Sequence, residues 1–127
     1  MEELEEAVKY HDIFKAYSLG VTLFESYAVK ILHEDFDMNN VHVGKDIMDR
    51  INVQTLIVIL YTNKIITKSE YDDMIKINSI RNNLIIHKDF TKELDVGTLL
   101  STTNYINKIL TYAHRLKSIY WSKMAFH

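Results

Sequence analysis

The chain contains no cysteine and no proline, and it has only three glycines among its 127 residues. The absence of cysteine excludes disulfide bonds and thiolate metal sites. Proline and glycine interrupt helices and form turns, so their scarcity favours long helices over a turn-rich β protein. Apolar residues make up 47% of the chain and charged residues 25%, which is typical of one globular domain spanning residues 1–127.

Negative charge is missing from the last part of the chain, because residues 96–127 include no Asp or Glu. The basic residues there include Lys108, Arg115, Lys117 and Lys123. They match the negative end of a helix dipole, and the sharper alternative is a basic strip that binds phosphate. No uncharged apolar segment reaches membrane-spanning length, and the acidic start lacks signal-peptide features. We therefore expect a cytoplasmic protein without membrane contact.

The spacing of apolar residues predicts four helices. They cover residues 2–33, 45–66, 70–87 and 96–124. Ser69 and Asp72 have the spacing of a capping box at the start of the third helix, and Asp95 is suited to cap the fourth. Gly20 lies inside the first helix, where it permits a close helix approach or a bend. Short connections favour an all-α fold, an antiparallel up-down four-helix bundle.

The segment "SIRNNLIIHKDF", residues 79–90, places an arginine on an apolar face. On a helical wheel, Arg81 falls inside the apolar arc that includes Ile77 and Leu84, and Asn78 lies at the edge of the same arc. A buried arginine without a partner is unfavourable, so Arg81 must meet a carboxylate, carbonyl groups, a polar interface or a ligand. His87 follows six residues later, about 120° away on a continuous helix.

The segment "IRNNLIIHKDF" resembles the signature of HEPN domains, which is an arginine, usually a polar residue, and a histidine after a short spacer. Arg81 matches the arginine, Asn82 the polar residue and His87 the histidine. The preceding helix and the capped start of the next one also resemble the family. One toxin branch has a tyrosine two residues after the histidine, where this chain has Asp89, so membership of that branch is not implied.

The resemblance implies an HEPN-like bundle and a metal-independent endoribonuclease, a toxin or defence effector that acts as a homodimer on RNA without a cofactor or a metal. Arg81 would bind the scissile phosphate, and His87 would be the general acid or base for attack by the 2′-hydroxyl. Asn82 would orient His87 or the substrate. Helix position adds Asn78 and Asn83 as substrate-binding candidates. Family members are often held in check by an antitoxin, sometimes a nucleotidyltransferase.

Two alternatives remain open from the sequence. The first is a non-catalytic HEPN-like module that binds a nucleotidyltransferase, another protein or RNA. The second is a structural helical dimer in which Arg81 pairs with an acid such as Asp12 or Asp35 and His87 caps a helix end. A polar loop with His33, Glu34, Asp35, Asp37 and His42 matches no metal-site template and is interpreted as solvated.

Overall fold

The computed structural model describes residues 1–38, 50–86 and 96–125 of the chain. These residues form five α-helices and no strand, which confirms the predicted all-α class for the described ranges. The helices are α1 (Glu2–Lys9), α2 (Ile13–Met38), α3 (Val53–Thr62), α4 (Lys68–Ile86) and α5 (Val96–Met124). None of these helices is both long enough and apolar enough to cross a membrane.

The predicted first helix is in fact two helices, α1 and α2, with a break between Lys9 and Ile13. His11 has a φ of 54°, a left-handed conformation that the interior of an α-helix does not contain. The side chain of Asp12 then accepts a hydrogen bond from the backbone N–H of Lys15 at 3.3 Å, which caps the start of α2. Buried residues lie on both sides of the break, so apolar spacing alone does not reveal it.

The second predicted helix, 45–66, is shorter in the structure, where α3 covers Val53–Thr62. Residues 45–49 lie outside the described ranges. The side chain of Asn52 accepts a hydrogen bond from Thr55 N–H at 2.8 Å and caps the start of α3. Lys64 lies just after the end of α3 and has a φ of 61°. This left-handed conformation is not helical, so the helix does not continue to the predicted end at Ile66.

The start of α4 is capped by Thr67 and Glu70 rather than by the predicted Ser69 and Asp72. The Thr67 N–H donates to Glu70 Oε1 at 2.9 Å, and the Glu70 N–H donates to Thr67 Oγ1 at 3.2 Å. This reciprocal pair is a capping box shifted two residues toward the N-terminus. Asp72 instead accepts a hydrogen bond from Lys68 Nζ at 2.9 Å, on the exposed surface of the helix.

All five helices contribute to one apolar core, and α2 contacts each of the other four. The largest fully buried side chains of this core include Leu4, Tyr17, Phe24, Ile31, Leu32, Leu56, Ile57, Leu60, Met74 and Ile77. Helices α2 and α5 approach closely at Gly20, because a Cβ added there would overlap Ile109 Cγ2 of α5. Of the two roles predicted for Gly20, the close helix approach is therefore the one observed.

The directions of the helices depart from a simple up-down order, in which the first and last of four long helices run antiparallel. Three contacts join α2 to α5: Tyr17 with Thr102, Gly20 with Ile109, and Tyr27 with Tyr120. Residue numbers increase together along both helices, so α2 and α5 run parallel. The predicted up-down order is therefore not confirmed for the described helices, and the predicted helix start at residue 45 lies outside the described residues.

The substitution Gly20→Ala tests the close contact of α2 with α5. Alanine raises helix propensity by about 1 kcal/mol, but overlap with the buried, β-branched Ile109 opposes it by about 1–3 kcal/mol. We expect a net fall of about 1 kcal/mol in the free energy of unfolding, measured in urea. In an Ile109→Ala background the same change should stabilise the chain. An equal loss in both backgrounds would contradict the contact.

The substitution Thr67→Ala tests the capping box. We expect it to lower the free energy of unfolding by about 1 kcal/mol, because it removes the side chain that accepts from Glu70 N–H. The matched control is Ser69→Ala, two residues on, which should change stability by less than about 0.5 kcal/mol. Thermal or urea denaturation of both variants measures the difference, and a larger loss for Ser69→Ala would restore the original cap assignment.

Candidate active site

Arg81 lies on the apolar face of α4, as the helical wheel predicts. Met74 and Ile77 are fully buried, Leu84 is almost so, and Arg81 between them is half-buried. The predicted arc is wrong at Ile85, whose side chain is 53% exposed near the end of the helix. Arg81 therefore carries a full positive charge into the edge of the core.

The guanidinium of Arg81 is held by one amide. Its Nη2 donates to Asn78 Oδ1 at 3.1 Å, and the Asn78 side chain is only 4% exposed. The Arg81 Nε is buried and finds no hydrogen-bond acceptor among the described residues. An unsatisfied buried donor on a cation is unfavourable by roughly 1–3 kcal/mol, so the site is suited to an acceptor that arrives from outside these residues.

The two acids predicted as internal partners of Arg81 are engaged elsewhere. Asp12 caps the start of α2, and Asp35 accepts a hydrogen bond from Lys123 Nζ at 2.9 Å. Arg81 forms no ion pair with any carboxylate in the ranges 1–38, 50–86 and 96–125. The interpretation of Arg81 as half of an internal salt bridge is therefore not supported by these residues.

Polar contacts near the start of α4 fix its position on α5. Arg115 Nε donates to Glu70 Oε2 at 2.9 Å, and Lys108 Nζ lies 3.5 Å from Asp73 Oδ2. The Tyr112 hydroxyl donates a hydrogen bond to the same Asp73 oxygen. Burial first, and then this hydrogen bond, raise the pKa of Tyr112, so the phenol remains a donor.

The order of these contacts shows that α4 and α5 run antiparallel, since Glu70 meets Arg115 while the later Asp73 meets Lys108. Continuing the same register places Arg81 level with the first turns of α5. The buried Thr102 and the half-buried Tyr105 lie in those turns. Arg81 is thus at the end of the bundle where α4 finishes and α5 begins.

The remaining candidates differ in their positions. Asn78 was predicted from its helix position to contact substrate. It is buried and accepts a hydrogen bond from Arg81, so it orients Arg81 and is not exposed to a substrate. Asn82 and Asn83 are exposed, and neither donates to or accepts from Arg81 in the described hydrogen bonds. His87 lies outside the described residues, so its distance from Arg81 stays a prediction.

The acidic and histidine-rich segment that begins at His33 does not form a metal site in the described part of the chain. No group of three or more His, Asp or Glu side chains within those residues is placed to hold a metal ion. His33 is exposed, and Asp35 is paired with Lys123. The side chain of Asp37 and all of His42 lie outside the described residues.

Sequence reasoning missed a cleft that gathers Lys64, Arg115 and Lys123. Lys64 comes from the connection between α3 and α4, so only the folded chain brings it to α5. A partial signal was present, because Arg115, Ser118 and Ser122 have the spacing of one helix face in a segment without acidic residues.

Comparison of the chain with protein-family models, with curated proteins and with solved structures finds no match.

The double substitution Arg81→Met with Asn78→Leu tests whether Arg81 stabilises the fold. Replacing both hydrogen-bond partners with apolar side chains of similar size is close to neutral when no ion pair is lost. We expect the free energy of unfolding to stay within about 1 kcal/mol of the wild-type value in urea denaturation. The loss of an internal ion pair would instead lower it by about 3–5 kcal/mol.

Proposed function

We propose that the chain is a metal-independent endoribonuclease of the HEPN type, which cuts RNA by attack of a 2′-hydroxyl at a site shared by two copies. The observation that carries this proposal is the half-buried Arg81, whose buried Nε has no acceptor and whose charge has no carboxylate partner among the described residues. Structural arginines at this depth are normally paired, whereas a phosphate-binding arginine is completed by its ligand.

The geometry suits the transition state of phosphodiester cleavage. A guanidinium presents a planar fork of N–H donors that matches two phosphate oxygens. The hydrogen bond from Arg81 Nη2 to Asn78 holds this fork before substrate binds, so little reorganisation is needed as charge develops. Asn78 is thus a positioning residue for Arg81.

The roles of His87 and Asn82 in this proposal come from the HEPN resemblance. His87 is one residue beyond Ile86, the last residue of α4, and is proposed as the general acid or base. Asn82 follows Arg81 directly and its exposed amide is available to a substrate or to His87. No metal ion or cofactor takes part in the proposed reaction.

Exposed apolar side chains beside Arg81 support a dimer. Ile85 near the end of α4 is 53% exposed, and Leu100 near the start of α5 is 60% exposed. Both lie at the end of the bundle where Arg81 lies, so a second copy that covered them would also bring two Arg81 side chains toward one cleft. The HEPN-like arrangement, the cytoplasmic location and the role as a toxin or defence effector belong to this same proposal.

A second candidate function uses the same exposed patch differently. Ile85 and Leu100 would contact a nucleotidyltransferase or another protein, and Arg81 would bind an anion or RNA without cleavage. The exposure of these two apolar residues favours this candidate as much as it favours a dimer. The two candidates are separated by activity, because only the first produces cleaved RNA.

The test is a cleavage assay on total cellular RNA in EDTA, with wild type, Arg81→Ala and His87→Ala compared. We expect wild type to cleave, and each substitution to lower the rate by about 100-fold or more, since it removes a transition-state donor or the proton-transfer group. The control Lys76→Ala removes an exposed cation from another face of the same helix and should retain full activity.

Circular dichroism and light scattering establish that each variant remains folded and in the same oligomeric state. Cleavage that persists in folded Arg81→Ala would contradict the proposed site. A folded wild-type dimer that leaves RNA intact would replace the ribonuclease with the binding module.

A further inference from the structure

A second cationic site lies at the other end of α4. Lys64, Arg115 and Lys123 line a cleft of about 540 Å³, which we name the basic cleft. This volume is within the range of about 300–1,000 Å³ that is typical of small-molecule sites. Glu70, which holds Arg115, precedes Arg81 by eleven residues, or about 17 Å along the axis of α4. The basic cleft is therefore separate from the site at Arg81.

Three cations and one carboxylate, that of Asp35, line the basic cleft, so positive charge is in excess there. Arg115 pairs with Glu70 at 2.9 Å and Lys123 pairs with Asp35 at 2.9 Å, which accounts for two of the three cations. The third cation, Lys64, forms no ion pair within the described ranges. It lies in the α3–α4 connection and has a left-handed backbone conformation. The local field therefore attracts an anion.

The walls of the cleft offer hydrogen-bond donors together with an apolar surface. The hydroxyl groups of Ser118 and Ser122 lie on the same face of α5 as Arg115. Ile65 and Ile119 line the same space and provide an apolar surface of the kind on which a flat ring packs. Cations with hydroxyl donors bind phosphate, and the isoleucines favour an attached base over inorganic phosphate alone.

The existing ion pairs do not prevent such binding. Arg115 is 47% exposed in its side chain and Lys123 is 21% exposed, so a ligand can reach both cations from solvent. Phosphate carries more charge than one carboxylate and has more acceptor oxygens, so it competes with Glu70 and Asp35 for these cations.

We propose that the basic cleft binds a nucleotide through its phosphate and its base, either as a free mononucleotide or as one unit of an RNA strand. This site goes beyond the proposed ribonuclease site and does not use Arg81. Lys64, Arg115 and Lys123 hold the phosphate, and the base lies against Ile65 and Ile119.

The test is isothermal titration calorimetry of the full chain with AMP, with a short oligoribonucleotide and with inorganic phosphate. The oligoribonucleotide is titrated into the Arg81→Ala variant, so that cleavage does not consume the ligand. The single tryptophan, Trp121, is 58% exposed, and its fluorescence gives a second readout next to Ser122. We expect AMP or the oligoribonucleotide to bind about tenfold more tightly than inorganic phosphate.

The variant Lys64→Gln with Lys123→Gln should weaken that binding by about tenfold or more, since two charge-assisted contacts are lost. The matched control, Lys76→Gln with Lys117→Gln, removes the same charge from lysines outside the cleft and should change affinity by less than about twofold. Binding of AMP indicates a free nucleotide, and binding of the oligoribonucleotide alone indicates an RNA strand.

Three outcomes would overturn the proposal: no binding of either ligand, equal loss in the cleft variant and the control, or affinity for inorganic phosphate equal to that for AMP. The result is independent of the ribonuclease proposal. Loss of RNA cleavage in Arg81→Ala with intact AMP binding supports both sites, and failure at one site leaves the test of the other unchanged.

Discussion

The close contact between α2 and α5 at Gly20 is the constraint on which the positions of the other described helices depend. Ile109 fills the space that a side chain at position 20 would need, so the two longest helices approach directly. Near this contact the Tyr17 hydroxyl donates to Thr102 O at 2.7 Å in the core. Burial raises the pKa of Tyr17, so the phenol stays protonated and its hydrogen bond fixes the register of α5 on α2.

The position of α4 follows from that of α5, and the same contacts leave Arg81 without a carboxylate on its own helix. The acidic residues of α4 all lie in its first two turns: Glu70 binds Arg115, Asp72 binds Lys68, and Asp73 binds Tyr112 and Lys108. The rest of the helix, residues 74–86, contains no Asp or Glu. Charge on α4 is therefore balanced at one end and unbalanced at the other, where Arg81 lies.

Apolar spacing was sufficient to predict the helical class, the core face of α4 and the position of Arg81 on that face, because each depends on helix periodicity alone. The break at His11 and the cap at Thr67 depend on single backbone and side-chain hydrogen bonds, which periodicity does not report. The parallel course of α2 and α5 depends on contacts between residues that are distant in sequence, such as Tyr17 and Thr102. The basic cleft depends on Lys64, which is distant in sequence from Arg115, so no spacing rule connects them.

The two cationic sites differ in the way their charges are held, and this difference suits them to different tasks. Arg81 is fixed by Asn78 and has no described carboxylate to release, so it meets an arriving phosphate already oriented. Arg115 and Lys123 must exchange Glu70 and Asp35 for a ligand, which favours reversible binding. Eleven residues are about three helical turns, so Glu70 and Arg81 lie on nearly the same face of α4. The turns between them carry the fully buried Met74 and Ile77, so the two sites open at opposite ends of α4 rather than along one exposed groove.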